Sequence, residues 1–170
     1  MDKRVAYLIV LVPVIGMALW LGWLCILVAR APEVVLRVEG YDPRDLLSGH
    51  YLTYRVQYGV EAVHNAPFQE DVCACFNEPL SVPASAWWMG PCSERPESTC
   101  PIFLKGYSAY GNRFIAGIER FYIPERYAAK LRTVPGLATI RVAVPANGRG
   151  IVRQMQVDGE DLLDWVRRRP

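Results

Sequence analysis

The hydrophobic pattern divides the chain near residue 30. From Val5 to Ala29 no side chain carries a charge. A helix of that length, rising about 1.5 Å per residue, exceeds the roughly 30 Å hydrocarbon core of a bilayer. The surplus predicts a tilt or a kink, and Pro13 with Gly16 supplies a place for one. After Pro32 the period becomes two. Over Glu33–Gly40, Leu36 and Val38 alternate with Arg37 and Glu39; over Tyr51–Tyr58, Leu52, Tyr54, Val56 and Tyr58 alternate with Tyr51, Thr53, Arg55 and Gln57. Further strands are expected at 71–76, 101–107, 113–123, 137–144 and 150–157. The middle pair would form a hairpin about Tyr110-Gly111-Asn112, and the last pair one about Asn147-Gly148.

Turn chemistry punctuates these runs. Asp42-Pro43 opens a turn, Arg44–Leu47 predicts one helical turn, and Gly49 ends it. Pro124-Glu125 begins a predicted helix of about ten residues, stopped by Pro135-Gly136. Asp158-Gly159 leads into a short C-terminal segment ending near Trp165. Residues 77–100 show no clear period and are rich in Pro, Ser and Gly. Within them Trp87-Trp88 is expected either to cover a core edge or to meet a partner or a membrane surface. The sum is a mainly β fold, an antiparallel barrel-like or curled sheet with one short α-helix, preceded by a single N-terminal transmembrane helix. Residues 1–30 are expected to be a signal anchor and 31–170 an exported domain, with 68–100 an irregular, cysteine-bearing insertion.

Composition refines this picture. A cleaved signal peptide is the rival to an anchor, since Ala29-Arg30-Ala31 has the Ala-x-Ala form. Pro32 would follow that cut, however, and the apolar run is longer than a signal core of roughly 7–15 residues. Lys3, Arg4 and the terminal amine outweigh Arg30, which places the N-terminus in the cytoplasm and the domain beyond the inner membrane. With Asp2, Lys3, Arg4 and Arg30 set aside from totals of 17 acidic and 19 basic residues, sixteen of each sign remain. A neutral domain lacks the electrostatic footprint of nucleic-acid binding, and Arg167, Arg168 and Arg169 read as a solvated basic terminus.

Four cysteines, Cys73, Cys75, Cys92 and Cys100, follow the apolar helix. An even number outside the cytoplasm reads first as two disulfides. Cys73 and Cys75 point the same way from one strand, so each reaches Cys92 or Cys100 more easily than the other. A zinc site is the rival, although Cys-x-Cys is tighter than usual zinc spacing; free or redox-active thiols are the third reading.

Catalytic and metal chemistry find little support. Ser48, His50 and Asp45 crowd one turn, whereas a triad is assembled by the fold with an exposed nucleophile and an oriented base. A Ser-Lys dyad, as in type-I signal peptidases, would draw on Ser48 or Ser81 with Lys105 or Lys130, but the Ser-x-Met-x-Pro signature is missing. His50 and His64 are the two histidines and fit no metal-ligand spacing, and no phosphate loop or cofactor motif occurs. The polar cluster Arg44, Asp45, Glu119 and Arg120 is more informative. A half-buried carboxylate needs a partner, so Glu119 or Arg120 is expected to bond to the 42–55 segment, either pinning the turn onto the sheet or binding a ligand.

The run Asp42-Pro43-Arg44-Asp45-Leu46-Leu47 followed by Gly49-x-Tyr51 resembles the bacterial GDYXXLXY family of membrane-anchored proteins. Glu119-Arg120-Phe121-Tyr122-Ile123-Pro124-Glu125 is similar to its second signature, and Val157-Asp158-Gly159 to its closing turn. His50 stands where the motif has Asp, Tyr54 where it has Leu, and Val56 where it has Tyr. The resemblance spans 33–57 and 101–160, leaves out the cysteine-bearing section, and implies topology and fold without an activity. The resulting expectation is a single-pass envelope protein with an extracytoplasmic binding or scaffolding domain. Two alternatives are an accessory subunit of a multispan membrane complex, packing through Gly16, Ala18 and Gly22, and an envelope hydrolase. No cofactor is expected.

Overall fold

The computed structural model describes residues 3–40, 51–60, 71–78, 80–109, 113–127, 131 and 137–168. The chain falls into two compact units, Met1–Ala31 and Pro32–Pro170. The first is a single helix, α1 (Lys3–Ala29), which runs through Pro13. Its stretch Leu11–Ala29, 19 residues with a mean hydropathy of 2.4, is long and apolar enough to cross a membrane. Leu19, Trp20 and Trp23 expose more than half their surface within the protein, as lipid-facing side chains do.

The second unit is built of antiparallel strands: β1 (Glu33–Gly40), β2 (Tyr51–Gln57), β3 (Asp71–Phe76), β4 (Ala86–Pro91), β5 (Ile102–Ala109), β6 (Arg113–Ile115), β7 (Arg120–Tyr122), β8 (Ala138–Ala143), β9 (Ile151–Val157) and β10 (Glu160–Asp161), followed by α2 (Leu162–Arg168). They form a six-stranded sheet in the order β10-β9-β8-β1-β2-β7 and a four-stranded sheet in the order β4-β3-β5-β6. Main-chain hydrogen bonds stitch the elements at their margins. Ala84 donates to the Val35 carbonyl and Ala86 to that of Tyr58, both at 2.7 Å; Lys105 donates to Gly148 at 2.8 Å. The tip of the β8–β9 hairpin thus reaches β5, and a Cβ at Gly148, whose φ is +75°, would lie 2.4 Å from the Phe103 ring. Only glycine admits that approach.

One core serves both sheets. Val34, Leu36, Leu52 and Tyr54 of the larger sheet meet Val72, Phe76 and Leu104 of the smaller, together with Ile140, Met155 and Val157. The outer residues Arg37, Glu39, Arg55 and Gln57 are exposed, so the period of two in β1 and β2 is the division between core and solvent. α2 completes the core with Leu162 and Val166, one turn apart on the same face. Asp161 caps it, its Oδ1 accepting the Leu163 amide at 2.8 Å.

β3 is buried on both faces. Val72, Ala74 and Phe76 enter the core, while Cys73 and Cys75 are covered from outside by their disulfide partners. Cys73 joins Cys92 and Cys75 joins Cys100, with Cα separations of 4.9 and 5.4 Å. Arg95 secures the same strap, donating to the Cys100 carbonyl at 3.2 Å and lying 4.0 Å above the Phe103 ring.

Four expectations are corrected. The run 113–123 is two short strands in different sheets, because Gly117 adopts φ +79° and turns the chain out of one sheet into the other. Residues 86–91, expected to be irregular, are strand β4, with Trp87 and Trp88 on it. The described start of the helix expected after Pro124 is a 3-10 turn, Glu125–Tyr127; residues 128–130 and 132–136 lie outside the described residues. The C-terminal segment expected to end near Trp165 is the helix α2, in which Arg167 pairs with Asp164 and from which Arg168 reaches Glu160 of β10.

Candidate functional site

β2 is the strand around which the site forms. β7 pairs with its first half, Tyr51–Thr53, and on its other side β1 pairs with the rest, from Tyr54 to Gln57. The margin of β2 that β7 leaves uncovered, beyond Tyr54, therefore faces the smaller sheet. Between them lies a groove of about 540 Å³, lined by Thr53–Val56 on one wall, Tyr107 and Arg113–Ile115 on the other, and Gly117, Glu119, Arg120 and Tyr122 at the crossing. A second cavity of about 300 Å³ shares Gly117, Arg120 and Tyr122 and runs on toward Gly150 and Val152.

Glu119 builds the crossing. Its carboxylate accepts the Ala116 amide at 2.8 Å, closing the turn that Gly117 opens, and also the Tyr58 hydroxyl at 3.4 Å. Its carbonyl accepts the Tyr54 amide at 3.2 Å, and the neighbouring Ile118 carbonyl accepts the Tyr54 hydroxyl at 2.5 Å. Two tyrosines of the β2 region thus hold one turn. Burial, and then the negative charge of Glu119, push both phenols well above their ordinary value. Under the groove the Tyr58 ring meets Phe114 edge to face, with centroids 4.9 Å apart.

The upper walls are cationic and aromatic. Among the described residues that line the groove are Arg55, Arg113 and Arg120, with Glu119 as the one acid. Glu119 is turned toward Ala116 and Tyr58, and Glu39 lies opposite Arg55 across the β1–β2 pair. Arg120 sits 5.1 Å over the Tyr51 ring, which meets Tyr122 edge to face at 6.2 Å. Tyr122 is 74% exposed and Tyr107 44%, a large apolar surface to leave in water beside a groove. Thr53 Oγ1 is buried without a hydrogen-bond partner among the described residues, a state that buried hydroxyls seldom keep.

A family model described as GDYXXLXY protein matches residues 25–155. The chain belongs to the GDYXXLXY family. No curated protein and no solved structure matches it. The GDYXXLXY match encloses the cysteine-bearing section 68–100, which the sequence resemblance leaves out.

Of the motif residues, Asp42, Pro43, Arg44, Asp45 and Gly49 lie outside the described residues, as do Ser48, His50, His64 and Lys130. Tyr51, Glu119 and Arg120 come together where β2 meets β7, and Pro124 follows that crossing, its carbonyl accepting the Tyr127 amide at 2.9 Å. Lys105 pairs with Asp71 at 2.7 Å, and the Ser81 hydroxyl donates to the Pro83 carbonyl at 3.0 Å, so both described members of the considered Ser-Lys dyad are engaged elsewhere. The described residues contain no group of His, Cys, Asp and Glu able to hold a metal. Arg55, Arg113 and Tyr107 were not singled out from the sequence as candidate site residues, and Tyr122 stood there only within the second signature. Gly117 inside an otherwise continuous strand pattern was the available signal, since an isolated strand glycine marks a bend.

Proposed function

We propose that this protein is an uncleaved, single-pass envelope protein of the inner membrane. In this reading α1 is the anchor, its N-terminus is cytoplasmic, and the β domain is a periplasmic binding module whose ligand site is the groove between β2 and β6. Two observations support this reading of the topology: the basic side chains ahead of the apolar helix, and two disulfides, which persist in oxidising compartments. The observation that carries the binding role is the groove itself, concave, rimmed by exposed tyrosines and lined by three arginines. Aromatic and arginine side chains around a concavity are the residue types that dominate binding energy at interfaces.

The test is photo-crosslinking in intact cells, with a benzophenone amino acid placed at Tyr122, at Tyr107 and, as control, at Ile151. Adducts at 122 and 107 that disappear on adding Arg113→Glu, with none at 151, support the reading. Equal labelling at all three positions, or none at the groove, overturns it.

A second reading, an accessory subunit of a multispan complex, is favoured by α1. A Cβ at Gly16 or Gly22 would meet nothing within 4 Å, and small residues let a neighbouring helix approach closely in lipid. Leucine at both positions would release such a partner in mild detergent while leaving crosslinks at the groove unchanged.

A further inference from the structure

The groove is bounded by two strand margins, which narrows the class of ligand it takes. Successive residues of a strand direct their amide and carbonyl groups to alternate sides. The Tyr54 amide points to the β7 side, where it donates to Glu119, and the Tyr58 carbonyl points to that same side, where it accepts from Ala86. Val56, midway between them, has the same parity and turns its amide and carbonyl into the groove. The pairing of β7 with β2 stops at Thr53, and among the described residues no strand pairs with this side of β2 beyond it, which makes the stretch a strand margin within a sheet. Across the groove, β6 is the terminal strand of the smaller sheet and presents its own margin. Exposed strand margins are templates for a further strand, and proteins that do not use them blunt or cover them. Here the lining residues place arginines, a Thr53 hydroxyl without a partner among the described residues, and exposed tyrosines beside the margin.

We propose that the groove binds an extended, acidic polypeptide segment, which adds as a strand along β2 at Val56 and sets its carboxylates against Arg55, Arg113 and Arg120. The inference rests on the binding-module reading above and names its ligand class. Main-chain hydrogen bonds supply affinity in this mode, and alternate side chains supply selection. Every second residue of the added strand faces outward, where Arg55 and Arg120 lie on the exposed face of the β2–β7 pair. Acidic residues two apart are therefore the favoured pattern. Carboxylates meet guanidinium groups in paired, directional hydrogen bonds, and Tyr107 and Tyr122 offer flat faces to the segment's apolar side chains.

The probe is a pool of random octapeptides panned on the full chain in detergent micelles. Enriched peptides are expected to carry acidic residues at i and i+2. Their affinity should fall at least tenfold on N-methylation of one central amide, and at least tenfold for the variant R55Q/R113Q/R120Q, provided its melting temperature matches the wild type. Inorganic polyphosphate and phosphatidylglycerol vesicles are the comparison ligands. If either binds through the same arginines while acidic peptides do not, the ligand is a non-peptide polyanion; the strand proposal fails and the binding module stands. Enrichment of neutral or basic sequences, insensitivity to N-methylation, or no enrichment overturns the proposal as well. Absence of groove crosslinks from the otherwise unaltered protein in cells would instead overturn the binding reading beneath it.

Discussion

The hydroxyl of Tyr54 donates to the carbonyl of Ile118 at 2.5 Å, joining two residues 64 positions apart in the chain. With the Tyr54 amide on Glu119, that contact fixes where the chain leaves one sheet for the other, and so fixes the wall of the groove. Tyr54→Phe leaves the Ile118 carbonyl buried without this donor. Such a loss costs about 1–3 kcal/mol, read as a lower midpoint in denaturant with the slope unchanged.

Alkaline pH strikes the same place. Tyr54 and Tyr58 are raised above the ordinary value of 10.0 by burial and by Glu119, so the folded protein keeps both protons after the unfolded chain has begun to lose them. Their contribution is complete below about pH 10 and falls as the pH rises beyond it. Unfolding midpoints are expected to drop steeply above that pH, and Tyr58→Phe is expected to make the drop shallower. A wild-type stability that is flat up to pH 12 would contradict the buried pair.

Much of this was legible in the sequence, for a definite reason. β1 and β2 each carry a regular pattern with turn chemistry at one or both ends, and a strand with one face in the core must alternate. The disulfide pairing of β3 with the 92–100 strap followed from the same geometry, because residues two apart on a strand share a face. The crossing at 116–119 was hidden. Ile115, Phe121 and Ile123 continue an apolar register that reads as one strand, and the break depends on Glu119 capturing the Ala116 amide, a contact that no spacing rule announces. β4 was hidden because its alternation is poor: Trp87 and Trp88 are adjacent large residues, and the ring of Trp88 lies over Gly90, where a Cβ would come within 2.8 Å of it. The groove arginines come from β2, β6 and β7, brought together by two sheets, and a strand order of that kind has no signature in the pattern.

The strap should be structural. Cys75 and Cys100 stand 25 positions apart in the chain, and removing such a crosslink costs roughly 2–4 kcal/mol. Replacing both by serine is expected to lower the thermal midpoint clearly. Mass mapping without reductant is expected to find Cys73 on Cys92 and Cys75 on Cys100, and four free thiols would contradict the fold.

Gly106 sets how closely β5 and β6 approach. A Cβ there would lie 2.2 Å from the Ile115 carbonyl oxygen, main chain that has to move to make room. Gly106→Ala is expected to cost about 1–3 kcal/mol and to weaken any groove ligand, because Ile115 is part of the groove wall. Gly159→Ala serves as a control that is destabilising for another reason, its φ of +84° with open space around the added Cβ, and it should lower stability while sparing binding.

The central claim is that the margin of β2 beside β6 is occupied when the protein is at work. Hydrogen exchange on the full chain in its native membrane, compared with the purified protein, tests this most directly. The account predicts slower exchange in the native membrane for peptides covering 54–57 and 113–115, with no change in 151–157. Equal exchange of the β2 and β6 peptides in the two preparations would contradict it.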